Sequence, residues 1–331
     1  MRFTGGMVPT GAMPPEEFDA VVVGGGIAGL SAAFWLARYR RRVRVYDAGG
    51  GRNRMSVAIH GYPGVEDPTP QEMRRRIRVQ AAGAGAELRE GRVADIKGSR
   101  DAFRVVVESG DIVRARRIVL AYGLSDIIPD IPGIAEAYGV TVHHCPDCDG
   151  PSAHEEPVGV IGWSRAAAEL ALFLLTWASR VVLLRHGRDD RLSREDRETL
   201  LRRGVATHDA RITRIDQVDG RVRAVYLADG ECLALRRLFV HIGSPPASDL
   251  ARRLGCETGP DGRIVVDEGQ ETTVPGVYAA GDIAGHPHLA IAAAAEGVRA
   301  ALSLHRSLLP SDLELRGRGS RPDRNESAAA D

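Results

Sequence analysis

Two cysteines separated by two residues, Cys145-Pro146-Asp147-Cys148, are the side chains best suited to chemistry in this sequence. At that spacing two sulfurs close a disulfide ring with little backbone movement. Such pairs can hold one thiol as a thiolate, the species that attacks a substrate disulfide. Asp149 follows directly and can pass protons during the exchange. Two other readings stand beside this one: half of a zinc site, and two buried thiols. His143 and His144 adjoin the pair, but there is no second C-x-x-C and no H-x-x-x-H, so no metal is expected. Cys232 and Cys256 stand alone. Four cysteines in 331 residues are no disulfide framework, and one C-x-x-C amid βαβ patterning reads as the redox chemistry of a cytoplasmic protein.

A second constellation is the run Gly24-Gly25-Gly26-Ile27-Ala28-Gly29, which fits G-x-G-x-x-G between an apolar strand and a helix. A dinucleotide pyrophosphate must approach backbone N–H groups at such a helix start. Gly24 allows the tight turn, Gly26 leaves no Cβ in the path of the phosphate, and Gly29 lets helix and strand pack closely. Asp47 ends the next strand, at the offset of a carboxylate that accepts from ribose hydroxyls. The bland reading is a glycine turn without ligand. Near the other end, Val277–Asp282 runs as a strand into Gly281-Asp282. Asp282 could meet the ribityl chain or phosphates of a flavin, or simply cap a helix. Together with the first loop it favours FAD over NAD(P) in the first domain.

The elements that must position these groups follow from periodicity. Asp19–Val23, a helix over Ala28–Arg38 and Val43–Tyr46 form a first βαβ unit; Val158–Ile161, Ala166–Trp177 and Val181–Leu184 form a second. Shorter strands are expected at Phe103–Glu108, Ile112–Arg114, Ile118–Ala121, Val222–Leu227, Arg237–Ile242 and Val274–Ala280, with a long helix from Leu289 to Leu308. The fold class expected is α/β, with two Rossmann-like nucleotide-binding domains. Pro129–Gly133 lets the chain leave the first domain and Ser244–Pro246 lets it return. The FAD domain is then discontinuous, 18–133 and 246–314, with a pyridine-nucleotide-like domain inserted at 134–245. Residues 1–17 and 315–331 read as flexible tails. Lys+Arg and Asp+Glu both total 44, so no global field draws in nucleic acid or an anionic membrane. No apolar stretch is long enough to span a bilayer.

Three stretches, V-V-V-G-G-G-I-A-G-L-S-A-A at Val21–Ala33, C-P-D-C-D-G at Cys145–Gly150 and V-P-G-V-Y-A-A-G-D at Val274–Asp282, resemble the low-molecular-weight thioredoxin reductases. The likeness runs from about residue 18 to 310. It implies a homodimer in which a split FAD domain and an inserted domain rotate, so that the dithiol faces either flavin or protein substrate. It further implies that Gly24, Gly25, Gly26, Ile27, Ala28, Gly29 and Asp47 hold the ADP part of FAD, that Val93 contacts adenine, and that Gly281, Asp282 and Ala290 lie on the flavin side. By the same likeness Cys148 faces the flavin, Cys145 attacks the partner disulfide, and Asp149 transfers the proton.

The sequence also departs from that family. The second glycine loop reads Gly162-Trp163-Ser164-Arg165-Ala166-Ala167, with Ser164 where the middle glycine belongs. The 2′-phosphate motif is replaced by Arg185-His186-Gly187-Arg188-Asp189-Asp190-Arg191, where only the last Arg matches. A blocked backbone approach argues against NADPH, although Arg185, Arg188 and Arg191 keep drifted but working binding open. Gly51-Arg52-Asn53-Arg54 and His60-Gly61 resemble pieces of flavin dithiol oxidases, which usually carry His where this chain has Asp149. Asn53 and His60 are therefore candidates near the flavin, His60 being equally readable as a loop histidine. The expected function is an FAD-dependent thiol–disulfide oxidoreductase without NADPH, fed by ferredoxin, flavodoxin or another flavin. Its partner would be a thioredoxin-like protein or a small dithiol or disulfide. A dithiol oxidase using oxygen, an NADPH-thioredoxin reductase and a non-catalytic flavin redox sensor are the alternatives.

Overall fold

The computed structural model describes residues 16–189, 192–285, 287–310 and 312. The expected tail over 315–331, and Asp190 and Arg191 of the second arginine motif, lie outside the described residues, as does most of the tail over 1–17. That first tail is shorter than expected. Glu17 already opens a strand, and Glu16 pairs with Arg44, because arginines of the neighbouring strand reach back to this acidic pair.

Glu17–Val23 (β1), Val43–Asp47 (β2) and Glu87–Glu90 (β3) run parallel, in the order β3-β2-β1. All of β2 is buried, as expected of a strand covered on both faces. Ile27–Arg38 (α1) makes the crossover from β1 to β2. On the far side of β1 lies Ile112–Leu120 (β6), also parallel to it. The lower half of β6 pairs antiparallel with Phe103–Val107 (β5), which in turn pairs with Val93–Lys97 (β4). Its upper half pairs parallel with Val277–Ala279, the last strand of the chain. The two strands expected at Ile112–Arg114 and Ile118–Ala121 are thus one. Arg117 hid the continuity: it is 1% exposed, and its guanidinium is satisfied by Asp101 and by the carbonyl and hydroxyl of Ser307. The strand expected at Val274–Ala280 begins only at Val277, since Val277 N–H turns back to the Val274 carbonyl.

Pro70–Gly83 (α2) was not foreseen. Its start is well marked by Thr69, which accepts from Glu72 N–H, and by Pro70 in the first turn. Its arginine-rich body, however, buries only Pro70, Met73 and Ala81, too few apolar positions for a helical period to stand out.

The second sheet is entirely parallel. It holds Val142–His143 (β7), Pro157–Ile161 (β8), Arg180–Leu184 (β9), Ala206–His208 (β10) and Arg237–Val240, in the order β10-β9-β8, then Arg237–Val240, then β7. Short helices Ile134–Ala137 (α3) and Pro146–Asp149 (α4) flank β7, Arg165–Leu174 (α5) joins β8 to β9, and Arg194–Arg202 (α6) follows β9. Ile212–Val218 (β11), Arg221–Leu227 (β12) and Cys232–Leu233 (β13) form an antiparallel meander, so Arg237–Val240 is β14 and Val277–Ala279 is β15. Leu250–Leu254 (α7) and Ala290–Arg306 (α8) complete the chain. One sheet takes strands from both ends of the sequence and the other only from the middle, so the second Rossmann-like unit is inserted into the first. The two crossings lie side by side: Ser125 N–H donates to Pro245 O at 2.9 Å, Ile127 N–H to Gly243 O at 2.9 Å, and Ala247 N–H to Gly123 O at 3.0 Å. Among the described residues no helix is long and apolar enough to cross a membrane.

The two halves of the first unit are joined where α8 crosses α1. A Cβ on Gly297 would sit 2.1 Å from the Ala28 carbonyl oxygen. A Gly297→Ala substitution therefore has to push α8 away from the start of α1. We expect a loss of about 1–3 kcal/mol in urea unfolding with lowered FAD retention, and an unchanged midpoint would show that this crossing is loose.

Candidate active site

Cys145 and Cys148 are joined as a disulfide, with Cα atoms 5.3 Å apart. Cys145, two residues after β7, is the N-cap of α4 and Cys148 lies within it, so the second sheet fixes their position. Cys145 is 9% exposed and Cys148 is more open. The Cys148 N–H donates to Cys145 Sγ at 3.1 Å. An N–H aimed at that sulfur favours a thiolate on Cys145 once the bond is reduced. Bonded to each other, the two sulfurs are not zinc thiolates. Among the described residues no cluster of three or more His, Cys, Asp or Glu is arranged to hold a metal.

Asp149 lies one residue beyond, and burial pushes its carboxyl up to about 6, against smaller opposing effects of His60 and Arg237. Its neighbour is His143, whose Nδ1 is 3.4 Å from Asp149 Oδ1. Burial, helped by Arg237, drives His143 down to about 3, so its imidazole is neutral near pH 7. Arg237 Nη1 stands 3.4 Å from His143 Nε2, and a guanidinium can only donate. The proton of the neutral ring therefore belongs on Nδ1, the nitrogen that faces Asp149. His60 pairs with Asp67 at 3.3 Å and lies within electrostatic reach of both Asp149 and His143. The structure thus brings His60 into the electrostatic surroundings of Asp149, the residue after the dithiol.

Gly24–Gly29 and Asp47 gather around the start of α1. Gly24 has φ +112°, and a Cβ there would lie 2.3 Å from the Ala121 carbonyl oxygen; at Gly29 it would lie 2.0 Å from the Gly24 carbonyl oxygen. At Gly26 a Cβ would meet nothing within 4 Å, and Gly26 caps α1 without any side-chain hydrogen bond. The first N–H groups of α1 therefore have no side-chain cap, and the backbone at Gly26 leaves the approach to them open. That cradle fits the pyrophosphate of FAD. Gly25 abuts Asp47, which ends β2. Val93 is buried opposite Val107, in the same core cluster as Tyr46. Asn53 holds a turn through its carbonyl to Ser56 N–H, and Ala290 is the first residue of α8.

One alternative reading drops out. Asp282 caps no helix: α8 starts at Ala290, with Leu289 before it. The Asp282 carboxylate instead receives Arg52 Nη1 at 3.0 Å. Asp47, read as a ribose acceptor, is held by Arg74 at 2.5 Å and Arg78 at 3.3 Å, and Arg74 also donates to the Gly25 carbonyl at 3.2 Å. Sequence reasoning missed Arg74, Arg78, Asp126 and Ser244. For the first two the spacing of arginines along α2 carried the only signal, and that helix was not foreseen. Asp126 and Ser244 sit on the two chain crossings, where no periodicity applies.

The two glycine loops differ most consequentially at the middle glycine, Gly26 in the first and Ser164 in the second. α5 is capped by Ser164, whose hydroxyl accepts from Ala167 N–H at 3.2 Å. The first-turn N–H that an incoming phosphate would need is taken up by the loop itself. Nearby, Arg185 is paired with Asp209, and the Arg188 guanidinium lies 5.6 Å from the centre of the Trp163 ring.

The raised acid gives a prediction with a definite sign. Because the folded carboxyl titrates near 6 rather than at its ordinary 3.8, the fold favours the protonated form. That contribution is complete below the ordinary value and is lost as pH rises through about 6. Asp149→Asn should therefore stabilise the protein at pH 8 relative to pH 5, by roughly 1–1.5 kcal/mol, in urea unfolding at the two pH values. It should also abolish a pH inflection near 6 in the rate at which a dithiol bleaches the flavin. An inflection that survives the substitution assigns that proton to another group.

Comparison with known proteins agrees with this geometry. The family described as pyridine nucleotide-disulphide oxidoreductase matches residues 18–297. Thioredoxin reductase tcpT of Claviceps purpurea (strain 20.1) is 33% identical over 279 residues, spanning 80% of this chain and 86% of that protein. The crystal structure of HlmI superposes with a TM-score of 0.83 at 38% identity, covering 88% of this chain and 92% of HlmI. An oxidoreductase from Agrobacterium tumefaciens superposes with a TM-score of 0.79 at 35% identity, covering 88% and 98%. An FAD cradle, a C-x-x-C disulfide on an inserted Rossmann-like unit and these relatives converge on one assignment: the chain belongs to the pyridine nucleotide-disulphide oxidoreductase family and is an FAD-dependent disulfide oxidoreductase of thioredoxin reductase-like type.

Proposed function

We propose that this enzyme exchanges electrons between FAD and the Cys145–Cys148 pair without using NADPH. The observation that carries the reading is the contrast between Gly26 and Ser164. The first helix start is bare, whereas Ser164 spends its hydroxyl on the N–H of Ala167. A pyrophosphate entering the second loop has to displace that bond and accommodate a Cβ where its close approach needs none. The pairing of Arg185 with Asp209 points the same way, since it draws on charge that a 2′-phosphate would need.

In the reducing direction the Cys145 thiolate attacks one sulfur of the substrate disulfide, forming a mixed disulfide and releasing a thiolate. The Cys148 thiolate then attacks Cys145 Sγ, closing the internal disulfide and releasing the second substrate sulfur. Two electrons leave the dithiol and two protons end on the substrate, Asp149 being placed to carry one of them. The Gly24–Gly29 cradle, with Asp47, Asn53, Val93, Gly281, Asp282 and Ala290, would hold FAD, which when bound would supply the two electrons that reopen the pair. A ferredoxin, a flavodoxin or another reduced flavin is the class of donor. A thioredoxin-like protein, as the name of tcpT suggests, or a small disulfide is the class of acceptor. A cytoplasmic homodimer completes the proposal.

One observation favours a second reading. Arg52 reaches Asp282 and Asp126, and His60 lies within electrostatic reach of Asp149, so both oxidase-like sequence pieces reach groups that neighbour the dithiol turn. In an oxidase a substrate dithiol becomes a disulfide, and its two electrons and two protons reduce oxygen to hydrogen peroxide.

Anaerobic titration of the flavin spectrum separates these readings. NADPH and NADH at micromolar levels should leave the yellow oxidised spectrum intact, while reduced ferredoxin or free reduced flavin should bleach it. Rapid bleaching by NADPH overturns the proposal. Cys148→Ser should stay yellow and lose all turnover. Oxygen uptake driven by small dithiols selects the oxidase reading.

A further inference from the structure

We propose that Arg52 is a clamp fastening the inserted domain to the flavin domain, and that it sets the position from which the dithiol exchanges electrons. The idea rests only on the family assignment, not on the absence of NADPH use.

The two chain crossings form a two-stranded ribbon, tied by the backbone bonds of Ser125 and Ile127 to Pro245 and Gly243. Asp126 and Ser244 lie between those bonding residues. Arg52 enters from the flavin domain and touches both. Its Nη2 donates to Asp126 Oδ1 at 2.8 Å and to Ser244 Oγ at 3.2 Å, and its Nε donates to Asp126 Oδ2 at 2.9 Å. Ser244 Oγ donates in turn to Asp126 Oδ1 at 2.5 Å. The same guanidinium holds Asp282 at 3.0 Å and stands 3.0 Å from His288 Nδ1, both on the flavin domain. The second oxygen of Asp126 faces the inserted domain, with Tyr138 OH at 3.3 Å and His144 Nδ1 at 3.4 Å. His144 immediately precedes Cys145. One fork of donors thus links the flavin-side acid, both hinge strands and the turn that carries the disulfide.

Burial makes the link consequential. The side chains of Arg52 and Asp126 are 13% and 9% exposed. Burial alone would raise Asp126, yet the bonds from Arg52, with His144 and Ser244, hold it below the usual carboxylate range. A bidentate, water-excluded pair is strong and directional where an exposed one is not. A second contact runs parallel to it: Val57 N–H donates to the Gly139 carbonyl at 3.2 Å, so the loop after Arg52 itself rests on the inserted domain. Rotation of that domain twists the ribbon through the guanidinium and breaks the fork before it breaks anything in either core. Arg52 and Asp126 are positioning residues, since they act on the dithiol through His144 and through the hinge.

The test uses the FAD-loaded, full-length protein. Asp126→Asn is nearly isosteric and leaves Arg52 its bond to Asp282, and Arg52→Lys keeps charge without the planar fork. Hydrogen exchange should accelerate by about tenfold or more in the peptides covering 123–131 and 241–248 of both variants, while exchange in β1 and β8 stays as in the parent. The anaerobic rate of flavin bleaching by dithiothreitol should fall several-fold at unchanged FAD content. Arg52→Met/Asp126→Asn should unfold at nearly the parent urea midpoint and keep the fast hinge exchange, which separates loss of the clamp from loss of the fold. Hinge exchange equal to the parent in every variant overturns the proposal. So does loss of FAD from Asp126→Asn without any change in the hinge, which would make the pair a cofactor-binding element instead.

Discussion

The molecule depends on one steric constraint: segments separated by most of the chain must touch backbone to backbone at the start of α1. Gly297 on α8 reaches the carbonyl of Ala28, and Gly281 has room only for hydrogen before the Ala28 side chain. No side-chain interaction could substitute, because what the site needs is the absence of atoms. Through this contact the two halves of the flavin unit close despite an entire inserted domain between them. At the same helix start, Gly26 leaves the first N–H groups without a side-chain cap. Packing and cofactor cradle are therefore one feature, and a substitution cannot affect one without the other.

The inserted domain repeats the architecture without repeating the constraint. Its strand, loop and helix follow the same path, yet Ser164 supplies to α5 the bond that α1 leaves for a ligand. N-cap serine stabilises a helix by roughly 1 kcal/mol relative to an uncapped start. A glycine at that position forgoes this contribution, which is reasonable only where a ligand restores it. The inserted domain holds β7, α4 and the disulfide, and its parallel sheet serves as a rigid mount for them.

The parts legible in the sequence were those in which function is written as local pattern. The glycine loop, the acid ending β2, the C-x-x-C and the Gly-Asp after β15 each announce themselves within a few residues. The two Rossmann-like units and the insertion follow from the order of those patterns. What stayed hidden shares a physical cause: charge buried by pairing across long sequence distances. Arg117 disguised the middle of β6 because its partners, Asp101 and Ser307, lie elsewhere in the chain. The arginines that grip Asp47 sit on α2, a helix without a clear apolar face. The cluster around Arg52 draws on Asp126, Ser244, Asp282 and His288, and no periodicity connects such positions.

Two consecutive histidines show how the same residue types are set to opposite tasks. His143 faces Asp149, whose acid is raised by burial, and the nearest guanidinium, Arg237, is turned to the far side of the imidazole and to Glu156. His144 faces Asp126, whose acid is lowered because a guanidinium grips it directly. A carboxyl that must carry a proton has to be near neutrality in its affinity, so it is buried and denied an arginine. A carboxylate that must hold a structure has to remain an anion, so it is buried and given one. Both acids lie within a few residues or one hydrogen bond of the cysteine turn. The placement of two arginines, more than the acids themselves, decides which one can take part in proton transfer and which one can only bind.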